Sequence, residues 1–113
     1  MRIFPPSFLN AERSGLSVAM APENSATDSF ARLFLASGAQ HCASAAGPAP
    51  ADSLDAVVAW VEHGTAPAQL LGTTTDPATG VVTGSRPVCQ YPQFPRYTGH
   101  GSTTQATSYI CAP

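Results

Sequence analysis

The side chains with chemistry to offer are three histidines, three cysteines and a thin scatter of carboxylates, and the pair His41-Cys42 stands out among them. It follows the mostly apolar run of residues 30–36 and the turn Ser37-Gly38-Ala39-Gln40. A buried strand that ends in a glycine-containing turn and carries a histidine at its tip is how an α/β enzyme presents a general base. The chemistry would be proton transfer at a hydroxyl nucleophile. On the dipeptide alone, a histidine after a strand is more often a solvated loop residue than a catalyst. His63 and His100, taken with His41, Cys42, Cys89 and Cys111, have the donor types for a metal, but no Cys-x-x-Cys or His-x-x-x-His spacing joins them. No metal and no other cofactor is expected, and a surface role suffices for His63.

The elements that must position His41 can be read from pattern. Residues 1–7 are punctuated by Pro5-Pro6, which favours extended or turn geometry ahead of a helix. Leu9, Leu16 and Met20 share a helical face over residues 8–20, and Pro22 ends it. Residues 30–36 read as a strand buried on both faces of a parallel sheet, with Arg32 near an end or paired. Residues 43–51 are an Ala, Gly and Pro loop. The clearest helix covers residues 52–63, where Leu54, Val57, Val58 and Val61 fall at i, i+3, i+4 and i+7 and Trp60 widens the buried stripe. Asp52 or Ser53 can cap its start, and Gly64 is placed to end it in a left-handed turn. Two β-prone runs, 70–75 and 81–85, flank Asp76-Pro77-Ala78-Thr79-Gly80 and predict a hairpin.

From residue 86 onward the chain has Pro87, Pro92, Pro95, three tyrosines and no period, so an irregular tail over 86–113 is expected. Such a tail needs an anchor. Cys89 with Cys111 offers one by closing a loop of ~20 residues, worth about 3 kcal/mol in the chain-entropy estimate. The alternative is buried free thiols, since the count of three cysteines leaves one over in any case.

Composition removes several function classes. With 113 residues the chain allows one modest domain. Only 11% of residues are charged, the net charge is −2, and five Lys and Arg residues cannot build a face for a phosphate backbone. Nucleic-acid binding is therefore disfavoured, and no nucleic-acid partner is expected. No apolar stretch approaches the ~20 residues a membrane helix needs, and the start shows no signal-peptide pattern. The wealth of Ala, Thr, Ser, Gly and Pro with few lysines suits a secreted parent.

The order of landmarks resembles a known family. Asp28-Ser29-Phe30-Ala31-Arg32-Leu33-Phe34 is followed by Gly38-x-x-His41-Cys42, then by Ala59-Trp60-Val61-Glu62-His63-Gly64-Thr65-Ala66-Pro67. Next come Arg86-Pro87-x-Cys89-x-Tyr91-Pro92, Tyr97-x-Gly99 and Cys111. From residue 28 to 111 this is similar to the C-terminal end of the tannase and fungal-type feruloyl esterase family of serine hydrolases. The resemblance implies an α/β fold, the C-terminal portion of an α/β-hydrolase sheet running helix, strand, helix, β-hairpin and disulfide-anchored tail. It implies that residues 1–113 are the C-terminal part of one catalytic domain. His41 would be the base of a Ser, Asp, His triad, and Cys42 would be half of a disulfide to a cysteine beside the nucleophile. Cys89 and Cys111 would form a separate bridge.

No Gly-x-Ser-x-Gly or Gly-x-Cys-Ser-x-Gly elbow occurs in the chain. In the family the acid precedes a Pro-Pro pair, and Pro5-Pro6 resembles that pair, so the acid would fall at or just before Met1. The nucleophile, oxyanion donors and lid, with any calcium site the lid carries, are expected upstream. The substrate implied for the parent is a small aromatic ester of feruloyl or galloyl type, and the implied location is extracellular or periplasmic. Two other readings stand beside this one: a catalytically silent truncated fragment, and a small disulfide-stapled binding module.

Overall fold

The structure, a computed structural model, describes residues 2–3, 25–40 and 47–113. His41, Cys42, Pro5-Pro6 and the helix expected over 8–20 lie outside the described residues. In chain order the elements are β1 (Arg2–Ile3), α1 (Ser25–Asp28), β2 (Arg32–Leu33), β3 (Ala49–Pro50), α2 (Ser53–His63), β4 (Gln69–Thr75), β5 (Val82–Cys89), β6 (Phe94–Tyr97) and β7 (Tyr109–Ala112). A 3-10 turn over Ala106–Ser108 leads into β7.

The hairpin β4–β5 is the platform. Its register runs from Gln69 opposite Cys89 to Thr75 opposite Val82, with an irregularity between Thr74 and Thr75. Asp76 makes the turn: its Oδ1 accepts from the N–H groups of Ala78 (2.7 Å) and Thr79 (3.3 Å). Gly80 takes φ of 72°, the left-handed position such a turn requires. β3 pairs antiparallel with the other edge of β4, which gives a three-stranded sheet in the order β3-β4-β5.

One face of this sheet carries the core. Leu70 and Val88 are cross-strand partners, and with Phe34 and Trp60 they form a single buried cluster. Burying side chains of this size is worth roughly 1.5–3 kcal/mol each. Helix α2 starts where expected, but Asp52 does not cap it through its side chain. That carboxylate instead accepts from the Leu71 N–H at 2.9 Å and ties the helix to β4. At the other end Gly64 has φ of 66°, and the N–H groups of Gly64 and Thr65 donate to the carbonyls of Trp60 and Ala59.

The buried face of α2 differs from the predicted stripe. Trp60 is buried, with Ala56 and Val57 packed against the core, whereas Leu54 is 74% exposed and Val58 and Val61 are exposed too. At 100° per residue, the packed face lies about 100° around the axis from the centre of the stripe 54, 57, 58 and 61. The helix has apolar residues on two faces, so periodicity alone could not choose between them, and Trp60 with the largest area decides.

The run 30–36 also differs from the parallel strand expected. β2 covers Arg32–Leu33 and pairs antiparallel with β1, and Phe34 makes an isolated antiparallel bridge to Gln90. Apolarity reports burial, not the direction of a neighbouring strand. Ala31 and Phe34 are buried while Leu35 is exposed. Arg32 does pair, though not with an acid: Nη1 donates to the Pro67 carbonyl at 2.6 Å, Nε to the Asp28 carbonyl at 3.1 Å, and the guanidinium sits 5.7 Å from the Trp60 ring centroid.

The tail is more regular than its sequence suggested. β6 and β7 form an antiparallel pair with Phe94 opposite Ala112 and Tyr97 opposite Tyr109. Pro50, Pro87 and Pro95 sit in β3, β5 and β6, all of them edge strands in these sheets. An edge strand asks for no N–H on its open side, so proline is not a breaker there. The disulfide Cys89–Cys111 joins the end of β5 to β7. The tyrosines hold the rest: the rings of Tyr97 and Tyr109 lie 5.6 Å apart, and their hydroxyls donate to the carbonyls of Gly101 (2.7 Å) and Thr103 (2.8 Å).

Candidate active site

The described residues show how the loop that carries His41 is mounted. On the upstream side, Phe34 is fully buried and bridges to Gln90, and the Tyr91 N–H donates to the Leu33 carbonyl at 2.8 Å. A tight turn follows, with the Ala39 N–H bonded to the Ala36 carbonyl at 3.2 Å and Gly38 at φ of 78°. On the downstream side, the Gly47 N–H donates to the Gly38 carbonyl at 3.0 Å. The Gly47–Gly38 bond therefore closes a neck between the two described ends of the segment that contains His41. His41 is the third residue beyond Gly38.

Gly47 is required at this neck for space. A Cβ there would lie 2.7 Å from Gly38 Cα and closer still to Gly38 C and the Ser37 carbonyl oxygen, all of them backbone atoms that no side-chain rotation can move. Beyond it β3 anchors the return limb: Ala49 and Pro50 lie opposite Thr73 and Gly72, and the Ala51 N–H donates to the Leu71 carbonyl at 2.8 Å. Both limbs are thus fixed to the platform formed by the hairpin and residues 90–91. The sequence reading passed over Gly47 as part of a featureless loop. The available signal was the pair of glycines that brackets His41-Cys42.

His63 and His100 are exposed and belong to other parts of the surface, one at the end of α2 and one in the loop between β6 and the 3-10 turn. Among the described residues no three His, Cys, Asp or Glu side chains converge as metal ligands. Trp60 is a core anchor.

A profile described as "Tannase and feruloyl esterase" matches residues 12–112. The chain belongs to the tannase and feruloyl esterase family. The mono(2-hydroxyethyl) terephthalate hydrolase of Piscinibacter sakaiensis is 43% identical over 84 residues, which cover 74% of this chain and 14% of that protein. A probable feruloyl esterase of Arthroderma benhamiae is 42% identical over 90 residues, covering 78% of this chain and 17% of the relative. The chain therefore spans only 14% and 17% of the length of these two curated relatives.

Solved structures agree. Feruloyl esterase B from Aspergillus oryzae superposes with a TM-score of 0.66 and 33% identity, over 90% of this chain and 22% of that one. An esterase from the same organism gives a TM-score of 0.69 and 28% identity, over 94% of this chain and 24% of the other. The architecture is of the α/β-hydrolase type, as expected for the family, with mixed helix and strand and the Cys89–Cys111 disulfide.

Proposed function

We propose that this chain is the C-terminal part of the catalytic domain of a serine-type carboxylic ester hydrolase acting on aromatic esters, and that His41 is its base. The observation that carries the reading is the closed Gly38–Gly47 neck in a member of this family: it fixes both ends of the loop that presents His41. In the reaction, His41 takes the proton of a serine hydroxyl as it attacks the ester carbonyl, then returns a proton to the leaving alcohol. An aspartate orients the imidazole and stabilises its charged form. No Gly-x-Ser-x-Gly or Gly-x-Cys-Ser-x-Gly elbow occurs in this chain, and the chemistry so assigned calls for no cofactor.

Cys42 is assigned to a disulfide with a cysteine next to that serine, which would hold base and nucleophile loops together. The substrate class follows the activities for which these relatives are named, feruloyl ester and mono(2-hydroxyethyl) terephthalate hydrolysis, both of which concern small aromatic esters. An oxidising, extracellular or periplasmic setting is supported by the Cys89–Cys111 bridge. Among the described residues no helix is long and apolar enough to cross a membrane.

The test is a chimera in which this chain replaces the matching segment of Aspergillus oryzae feruloyl esterase B, assayed on methyl ferulate. Hydrolysis is expected, and His41→Ala should lower it by about 10³-fold or more. A folded chimera whose rate survives His41→Ala would overturn the assignment. The chain by itself is expected to turn over no ester, because a lone histidine has no covalent route.

A further inference from the structure

The outer half of the hairpin and the loop before the 3-10 turn enclose a groove of about 400 Å³ beside the Gly38–Gly47 neck. Thr74, Thr83, Ser85, Arg86 and Thr104 are among the residues that line it, and among the described residues no carboxylate does. The walls are fixed by the backbone: the Ser85 N–H donates to the Thr104 carbonyl at 2.8 Å, and Ser85 Oγ accepts from the Ala106 N–H at 3.0 Å. Thr74 and Thr83 hold each other through their hydroxyls at 3.1 Å.

Two features mark this as a ligand site rather than a surface depression. The Arg86 guanidinium lies 5.1 Å from the centroid of the Tyr109 ring, and that ring is itself held by its hydroxyl bond to Thr103. Among the described residues the exposed Arg86 side chain makes no hydrogen bond or ion pair, and its contact is the Tyr109 ring, which leaves the guanidinium N–H groups able to take a ligand at the groove. The second feature is Gly84. Its backbone is not in the left-handed region, so conformation does not demand glycine, yet a Cβ would stand 3.0 Å from Thr74 Oγ1 and 3.4 Å from the Thr104 carbonyl oxygen. The missing side chain keeps the space between the two walls open.

We propose that this groove binds an acidic sugar, a carboxylate carried on a polyhydroxylated ring. A guanidinium offers paired N–H donors that match a carboxylate. Hydroxyls that both donate and accept match a polyol. A neutral sugar would leave Arg86 unmatched, and an inorganic oxyanion would leave most of the hydroxyls to water. The lining includes Gly47 of the neck, and occupancy of the groove does not depend on the esterase reading.

The experiment titrates the folded feruloyl esterase chimera, with the segment contributed by this chain isotopically labelled, with glucuronate, and in parallel with glucose, acetate and inorganic phosphate, following the amide signals of Gly84, Ser85 and Thr104. Saturable shifts confined to the groove are expected for glucuronate, with an affinity about tenfold or more above those of the other three, one charge-assisted pair accounting for such a factor. Exposed Arg86→Gln should weaken glucuronate about tenfold while leaving the β6–β7 amide signals in place, and Gly84→Val should abolish binding. Absent or dispersed shifts, glucose or phosphate binding as tightly as glucuronate, or an Arg86→Gln chain that binds unchanged would each overturn the proposal.

Discussion

Replacing Gly47 by Ala tests the neck directly. The added Cβ would meet backbone atoms of Ser37 and Gly38, with Gly38 Cα at 2.7 Å, so the two limbs must move apart by the better part of an ångström to restore ordinary contact. The bond from Gly47 N–H to Gly38 O, now 3.0 Å, would not survive that movement. Its loss is worth about 0.5–1.5 kcal/mol. With a urea slope of roughly 1–3 kcal/mol/M for a small protein, the unfolding midpoint should fall by about 0.5 M at the middle of both ranges.

The consequence for catalysis is larger than that for stability. A displacement of about 1 Å at a positioned group can lower turnover on the order of 10²-fold. In the feruloyl esterase chimera, Gly47→Ala should therefore reduce kcat by about that factor with little change in KM. Gly80→Ala is the control: its φ of 72° makes alanine strained, but nothing lies within 4 Å of the new Cβ. It should destabilise by about 1–2 kcal/mol and leave kcat alone. A Gly47→Ala chimera with full kcat, or a Gly80→Ala chimera that loses as much, would refute the claim that the neck positions the base.

Three further outcomes are expected. Trp60→Ala should destabilise by about 3–5 kcal/mol, whereas Leu54→Ala, at a side chain 74% exposed, should stay within about 0.5 kcal/mol; urea melts showing the reverse order would mean that the helix buries its other face. Replacing both Cys89 and Cys111 by Ala removes a bridge of sequence separation 22 and should cost about 3 kcal/mol by the loop-entropy estimate, with faster amide exchange at Tyr91; a loss under about 1 kcal/mol would show that β6–β7 holds without it. With two of the three cysteines joined, alkylation of the unfolded, unreduced chain should modify one thiol, mapped to Cys42, and a modified Cys89 or Cys111 would contradict the pairing.

The parts of this fold that were legible in the sequence are those set by short-range chemistry. Gly64 ends α2 because only a residue at ease with φ of 66° can, and Asp76 with Gly80 makes a hairpin turn whose bonds close within five residues. Pairing across distance was not legible in the same way. Asp52 is a good cap by type, but the Leu71 N–H competes for its carboxylate from a strand that the local sequence does not reveal. The prolines after residue 86 looked like breakers because strand position, edge or centre, is a property of the whole sheet. For His41, spacing suggested a base and resemblance gave it a role, while the neck that holds its loop depended on Gly38 and Gly47 meeting nine positions apart.

The disulfide then acquires a meaning beyond loop entropy. Cys89 ends β5, and the next two residues are the ones that hold the strand leading to His41: Gln90 bridges Phe34, and the Tyr91 N–H bonds the Leu33 carbonyl. The return limb is held independently, by β3 on the far edge of β4. The two limbs on either side of the segment that contains His41 are therefore held by different strands of one hairpin, and the bridge to β7 sits next to the limb held by Gln90 and Tyr91. A tail that looks dispensable in sequence is in this way part of what anchors the strand ahead of the Gly38–Gly47 neck.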